Sequence, residues 1–318
     1  MHYAALGGQY AGPKPVPAAV AARYAYDAPS LNPQSRPVKQ RRHFVVRDVK
    51  LKPVKPDGAA DTLAKTIELE YYDVDDAAPT PVILLPPILN GHLRVTRYFA
   101  RYFAEQGWAA IVIKRDREPI PIALGHVEQT MRRNLLDYRR VLDWVSSDSA
   151  FDPQRIGVFG ISFGGIDAVV LAALDKRIDA VVAGMAGGDL AYLFVNTSYR
   201  SVARQVAGRL QHRGLSREAL EKKLDAQLDT GPMRLAPYVD AHELLMIMTR
   251  TDRIIPFEAQ EALRKRLGGP SALILPTGHR TSVVYFPLIR RTAYEFLDGR
   301  FHSAAGAAAS TAQTADIR

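Results

Sequence analysis

Apolar positions along the chain come in two textures. In "HFVVRDVKLKPV" (43–54) and "TLAKTIELEYYDV" (62–74) they alternate with polar residues or are β-branched, and "KPDGAAD" (55–61) between them has turn chemistry. That pattern predicts an antiparallel hairpin. From Pro81 onward the apolar residues gather into compact runs: 81–85, 108–114, 155–159, 179–184, 244–249 and 272–275. Between them lie segments with apolar residues at helical spacing, among them "RVTRYFARYFAEQ", "EQTMRRNLLDYRRVLDWVSSD" and "FEAQEALRKRLG". Buried runs alternating with helices predict parallel strands joined by crossover helices. Right-handed crossovers then give an α/β fold with a doubly wound, mostly parallel sheet.

One interval departs from this rhythm. Residues 189–239 contain no strand-like run and read as helical, as in "SYRSVARQVAGRLQHRG" and "SREALEKKLDAQL". An insertion rooted after the 179–184 strand stands on the edge where open α/β sheets bind ligands. A helical cap over a site is therefore expected there, with peripheral decoration as the alternative.

The run 155–159 leads into Gly160-Ile161-Ser162-Phe163-Gly164, a G-x-S-x-G sequence followed by an apolar helical stretch. In a tight strand-to-helix bend the serine takes a positive φ and projects its hydroxyl, and the chain two residues away on either side comes too close for a side chain. A dinucleotide loop does not fit, since the glycines at 157, 160, 164 and 165 do not make G-x-G-x-x-G.

A serine hydroxyl needs a neutral imidazole to take its proton and a carboxylate to orient that imidazole. Asp252, in "TRTDRIIP", follows the 244–249 run, and His279, in "LPTGH", follows the 272–275 run, so both are expected at carboxyl ends of strands. The chain order Ser162, Asp252, His279 is the one that an elbow serine implies. Asp252 is also a residue type that caps helices, Asp189 is a rival acid, and His92 is a rival among the eight histidines.

With "GISFGG", "TRTDRIIP" and "LPTGH" in this order, the sequence resembles the α/β-hydrolase superfamily from about Phe44 to Arg300. Within it, the elbow and the helical insertion are similar to the branch of dienelactone hydrolases, acetyl xylan esterases and prolyl-oligopeptidase-like peptidases. The resemblance implies an α/β-hydrolase fold and a serine hydrolase cleaving carboxylic esters through an acyl-enzyme, with Ser162 as nucleophile, His279 as base and Asp252 as its orienter. Neither metal nor organic cofactor is implied. Peptidase, amidase or acyltransferase chemistry on the same triad is the alternative, as is a silent binding protein on this fold. The superfamily commonly has His-Gly after its third strand, whereas here Pro86-Pro87 follow "PVILL". Aligning the two pairs makes the Ile88 N–H the partner of the Phe163 N–H in the oxyanion hole, with Leu89 as the other choice of donor.

Composition narrows the partners. A net charge of +9 invites a nucleic-acid reading, but the basic residues are dispersed and no zinc-finger or RNP-like motif accompanies them, so a small-molecule substrate and no nucleic acid are expected. There is no cysteine, which excludes disulfides and thiolate chemistry, and no apolar run long enough to span a bilayer. Residues 1–43, rich in Ala and Pro, are expected to be a flexible leader without a signal peptide, and 303–318 a disordered tail flanking a 44–302 hydrolase domain. Cytoplasmic and exported locations both remain compatible with this pattern.

Overall fold

The computed structural model describes residues 1–54, 66–74, 78–115 and 126–315. Its elements, in chain order, are β1 (His2–Ala4), α1 (Ala18–Ala22), β2 (Gln34–Gln40), β3 (Phe44–Leu51), β4 (Ile67–Val74), β5 (Thr80–Leu85), α2 (Arg94–Glu105), β6 (Ala109–Ile113), α3 (His126–Ser147) and β7 (Phe151–Ile161). They continue with α4 (Phe163–Leu174), β8 (Ala180–Gly184), α5 (Leu190–Asn196), α6 (Arg200–Arg213), α7 (Arg217–Asp225), α8 (Pro232–Leu235), β9 (Leu244–Thr249), α9 (Phe257–Arg266), β10 (Ser271–Leu275) and α10 (Phe286–Ala315).

Among the described residues the strands form one sheet in the order β1-β10-β9-β8-β7-β5-β6-β4-β3-β2. The stretch from β10 to β6 is parallel, and its strands are buried on both faces, which is why they read as unbroken apolar runs. The hairpin exists as β3 and β4, paired antiparallel from Phe44↔Val74 to Leu51↔Ile67. Its turn, 55–61, lies outside the described residues. This is the α/β-hydrolase fold, with a mostly parallel sheet and an antiparallel N-terminal pair.

Helices cover both faces. On one, α2 and α10 pack Phe99, Phe103, Ile289 and Leu297 against Ile83, Phe159 and Ile247. On the other, α3 and α4 pack Leu135, Val141, Val169 and Leu171 against Leu84, Val158 and Met246, and the same apolar cluster runs on into α5, α6 and α7. Apart from Asp167, helix α4 is apolar all round and almost wholly buried, as a helix wedged between a sheet and other helices must be.

The leader is a correction to the sequence expectation. Instead of a free segment, residues 1–43 protect both edges of the sheet: β1 pairs antiparallel with β10, and β2 with β3. Tyr24 is buried in the core with its hydroxyl 3.0 Å from Thr230 Oγ1, and the Tyr10 hydroxyl accepts from the Ala241 N–H at 2.9 Å. Edge strands need covering rather than a long apolar run, so a polar, proline-bearing strand serves and leaves little trace in hydropathy. The tail is likewise helical through Ala315 as the end of α10, in keeping with the high helix propensity of its alanines.

Candidate active site

The serine is held by backbone geometry. Ser162 sits between β7 and α4 at φ 58° and ψ −123°, and its N–H donates to Gly184 O at 2.8 Å. A Cβ at Gly160 would overlap the Gly164 carbonyl, and one at Gly164 would lie 2.5 Å from Pro86 O. Both glycines are therefore required, one to close the bend and one to let the elbow helix rest on the loop after β5. Ser162 occupies the position just before α4, yet its side chain caps nothing in the helix. Its Oγ lies instead 3.0 Å from His279 Nε2.

His279 comes four residues after the end of β10. The Ser282 hydroxyl donates to its backbone carbonyl at 2.7 Å, and its Nδ1 lies 2.7 Å from Asp252 Oδ2. The Asp252 carboxylate is fully buried. Oδ1 accepts from the N–H groups of Ile254 and Ile255, at 2.8 and 2.9 Å, and Oδ2 also accepts from the Thr249 hydroxyl at 3.0 Å. A carboxylate so supplied with donors faces the imidazole in one orientation and favours the Nδ1–H tautomer, leaving Nε2 free to accept from the serine.

The rival assignments separate cleanly. Pro256, not Asp252, occupies the N-cap of α9, so capping does not account for Asp252. Asp189 is the N-cap of α5 and accepts from the Tyr192 N–H at 2.9 Å. His92 is exposed, with its N–H bonded to Asn90 Oδ1 at 3.1 Å.

Phe163 begins α4, where first-turn N–H groups have no partner within the helix. Ile88 lies in the loop 86–91, whose turn is closed by Gly91 N–H donating to Ile88 O at 2.9 Å. Beside Ser162 lies a pocket of about 50 Å³ lined by Leu89, Phe163, Leu190, Phe194, Val202 and Ile255, with Thr197 and Tyr199 also at its wall. Its walls thus come from the elbow, the loop after β5, the loop after β9 and the insertion.

Sequence reading alone missed two residues that support this arrangement. Gln260 is fully buried, accepts from the Thr249 N–H at 3.1 Å and donates to Ile255 O at 2.8 Å, bracing the loop that carries Asp252. Arg115 donates to the carbonyls of Pro87, at 2.9 Å, and Ile88, at 2.5 Å, and faces Asp167 at 3.5 Å. In the sequence Arg115 sits in the charged run Lys114-Arg115-Asp116-Arg117 after a buried strand, and nothing in that run sets it apart from its neighbours.

The fold and the juxtaposed Ser162, His279 and Asp252 place the chain among α/β-hydrolases of the serine-hydrolase class. More narrowly, it belongs to the S15 family, described as X-Pro dipeptidyl-peptidase, whose model matches residues 23–268 and so ends before His279.

Among curated proteins, the quorum-quenching protein AidA of Acinetobacter baumannii (strain MDR-ZJ06) is 31% identical over 107 residues. That region is 32% of this chain and 34% of AidA, so the match spans about a third of the relative's length. Among solved structures, an acetyl xylan esterase from Paenibacillus sp. R4 superposes with a TM-score of 0.65 at 19% identity, covering 88% of this chain and 91% of that one. Acetyl xylan esterase 1 from Thermoanaerobacterium sp. JW/SL YS485 gives 0.67 at 15% identity, covering 92% and 96%. Acylaminoacyl peptidase from Pyrococcus horikoshii gives 0.59 at 16%, covering 83% of this chain and 42% of that one. At these identities the likeness is one of fold.

Proposed function

We propose that this protein is a serine esterase that cleaves carboxylic esters with short apolar acyl groups through an acyl-enzyme. The observation that carries the proposal is the continuous chain of contacts from Ser162 Oγ to His279 Nε2 and from His279 Nδ1 to Asp252 Oδ2. Ser162 attacks the ester carbonyl while His279 takes its proton, and His279 then gives that proton to the departing alcohol. Water, deprotonated by the same imidazole, releases the acid and restores Ser162. Asp252 keeps the imidazole oriented and stabilises its charged form. The N–H groups of Phe163 and Ile88 receive the oxyanion, at a helix N-terminus that favours negative charge.

The pocket supports an ester with a small acyl part. A volume of about 50 Å³ has room for about three to five water-sized groups, and its walls are apolar. Release of an X-Pro dipeptide, which the family match favours, calls for a partner to the peptide's charged amino group. The polar residues lining the pocket, Ser162, Thr197 and Tyr199, carry no charge, which suits an uncharged group better. Helices α5 and α6, whose Leu190, Phe194 and Val202 form one wall, act as a cap on the acyl group.

The test is fluorophosphonate labelling of wild type and Ser162→Ala beside turnover of p-nitrophenyl acetate, butyrate and octanoate and of an X-Pro anilide. Labelling and ester turnover present in wild type and lost by about 10⁴-fold or more in the variant support the proposal, with acetate and butyrate preferred to octanoate. A Ser162→Ala variant that retains full turnover ends it, and preference for the anilide moves the protein to dipeptide release.

A further inference from the structure

We propose that Arg115 is a positioning residue that sets the oxyanion hole, by tying the backbone of the loop after β5 to the helix of the nucleophile elbow. This rests on the serine-esterase reading above and adds to it the group that aims the donors. Arg115 follows β6 by two residues and is nearly buried, with 12% of its side chain exposed. Its Nη2 donates to both Pro87 O and Ile88 O. Its Nη1 faces Asp167 Oδ2, one helical turn into α4 from Ser162, and its guanidinium lies 4.7 Å from the centroid of the Phe163 ring.

Peptide geometry turns these contacts into control of direction. In a trans peptide the C=O of one residue and the N–H of the next point to opposite sides of a rigid plane. The chain has no cis peptide bond among the described residues. Holding Pro87 O toward Arg115 therefore turns the Ile88 N–H away from it, and holding Ile88 O does the same for the Leu89 N–H. Both candidate loop donors are set by one side chain. The Phe163 N–H belongs to the helix that carries Asp167, so a single guanidinium fixes the loop donors relative to the helix donor.

Two further observations favour a positional role over a purely structural one. Tyr138 donates to Asp167 Oδ2 at 2.6 Å, so Asp167 has a partner without Arg115. Among the described residues the Arg115 Nε–H is buried with no hydrogen-bond partner, so the side chain is placed by its Nη contacts to the loop and to Asp167. The planar fork is suited to reaching two carbonyls and a carboxylate at fixed angles, which the compact ammonium of lysine does not reproduce.

The experiment measures ester turnover, thermal midpoint and inhibition by a trifluoromethyl ketone, whose adduct with the serine carries an oxyanion, for wild type, Arg115→Lys and Arg115→Gln. With the donors misaimed, kcat is expected to fall on the order of 10²-fold in both variants while KM stays within about threefold. Affinity for the ketone is expected to fall in parallel with kcat/KM, including in Arg115→Lys with its midpoint near that of wild type. Arg115→Lys with wild-type kcat, or losses that follow only the folded fraction, overturn the positioning role while leaving the esterase reading intact. A folded wild type that neither turns over esters nor takes the ketone overturns both.

Discussion

Asn90 donates from Nδ2 to the Tyr199 hydroxyl at 3.0 Å, joining the loop after β5 to the N-cap residue of α6. The same Asn90 accepts the His92 N–H through Oδ1, so the amide is anchored at both ends. Tyr199 also lines the pocket beside Ser162. The wall contributed by the insertion and the loop that carries Ile88 are thus not independent. Replacing Tyr199 by Phe keeps the ring and removes the tether, a partly buried hydrogen bond worth about 1 kcal/mol. The expected result is a rise in KM for p-nitrophenyl butyrate of about fivefold, with Ser162 still labelled. An unchanged KM means that the wall is fixed by apolar packing alone.

Asp252 can be tested without altering its shape. In Asp252→Asn the amide oxygen still accepts from the Ile254 and Ile255 N–H groups, so the loop is expected to hold. The amide nitrogen then faces His279 and demands the wrong tautomer. A loss of about 10⁴-fold in kcat is expected at neutral pH, with the thermal midpoint little changed. A variant within tenfold of wild type removes Asp252 from the catalytic set.

Gln260 is expected to matter for stability first and activity second. It accepts from the Thr249 N–H and donates to Ile255 O, on either side of Asp252. Gln260→Leu leaves two buried backbone groups without partners, which costs about 1–3 kcal/mol each. The midpoint of thermal unfolding is expected to drop by several degrees, read by calorimetry. If it does not move, the loop after β9 is held by the Asp252 contacts alone.

How much of this was legible in the sequence follows from the reach of each interaction. The parallel strands could be read because full burial writes itself as unbroken apolar runs, and the Ser162, Asp252 and His279 positions because each falls at a strand end in the order an elbow requires. The leader could not, because β1 and β2 gain their structure from edges built by β10 and β3, far away in sequence. Arg115 and Gln260 escaped for a related reason. Their partners are backbone carbonyls and N–H groups, which every residue carries and no motif marks. The pocket was invisible because it assembles side chains from four separate segments.

Asp179 gives a pH signature of the fold. Burial raises its carboxyl to about 6 from 3.8, the nearby negative charge of Asp152 adds to the shift, and the Ile156 N–H, which donates to it at 2.8 Å, opposes it. Because the folded-state value is the higher one, the native chain holds this proton between about pH 4 and 6 where the unfolded chain has lost it. Its stabilising contribution is therefore complete below about 3.8 and disappears as pH rises through about 6. Asp175 runs the other way: burial opposes its charge, but Arg177 and Arg139 hold it below the usual carboxylate range, so its contribution is present above 3.8 and lost at lower pH. The window from pH 4 to 6 thus isolates the raised groups. Urea unfolding of wild type and Asp179→Asn across it is expected to show a difference in unfolding free energy that shrinks as pH rises, then stays flat from about 6.5 to 8. A difference that is constant from pH 4 to 8 would mean that Asp179 titrates alike in the folded and unfolded chains.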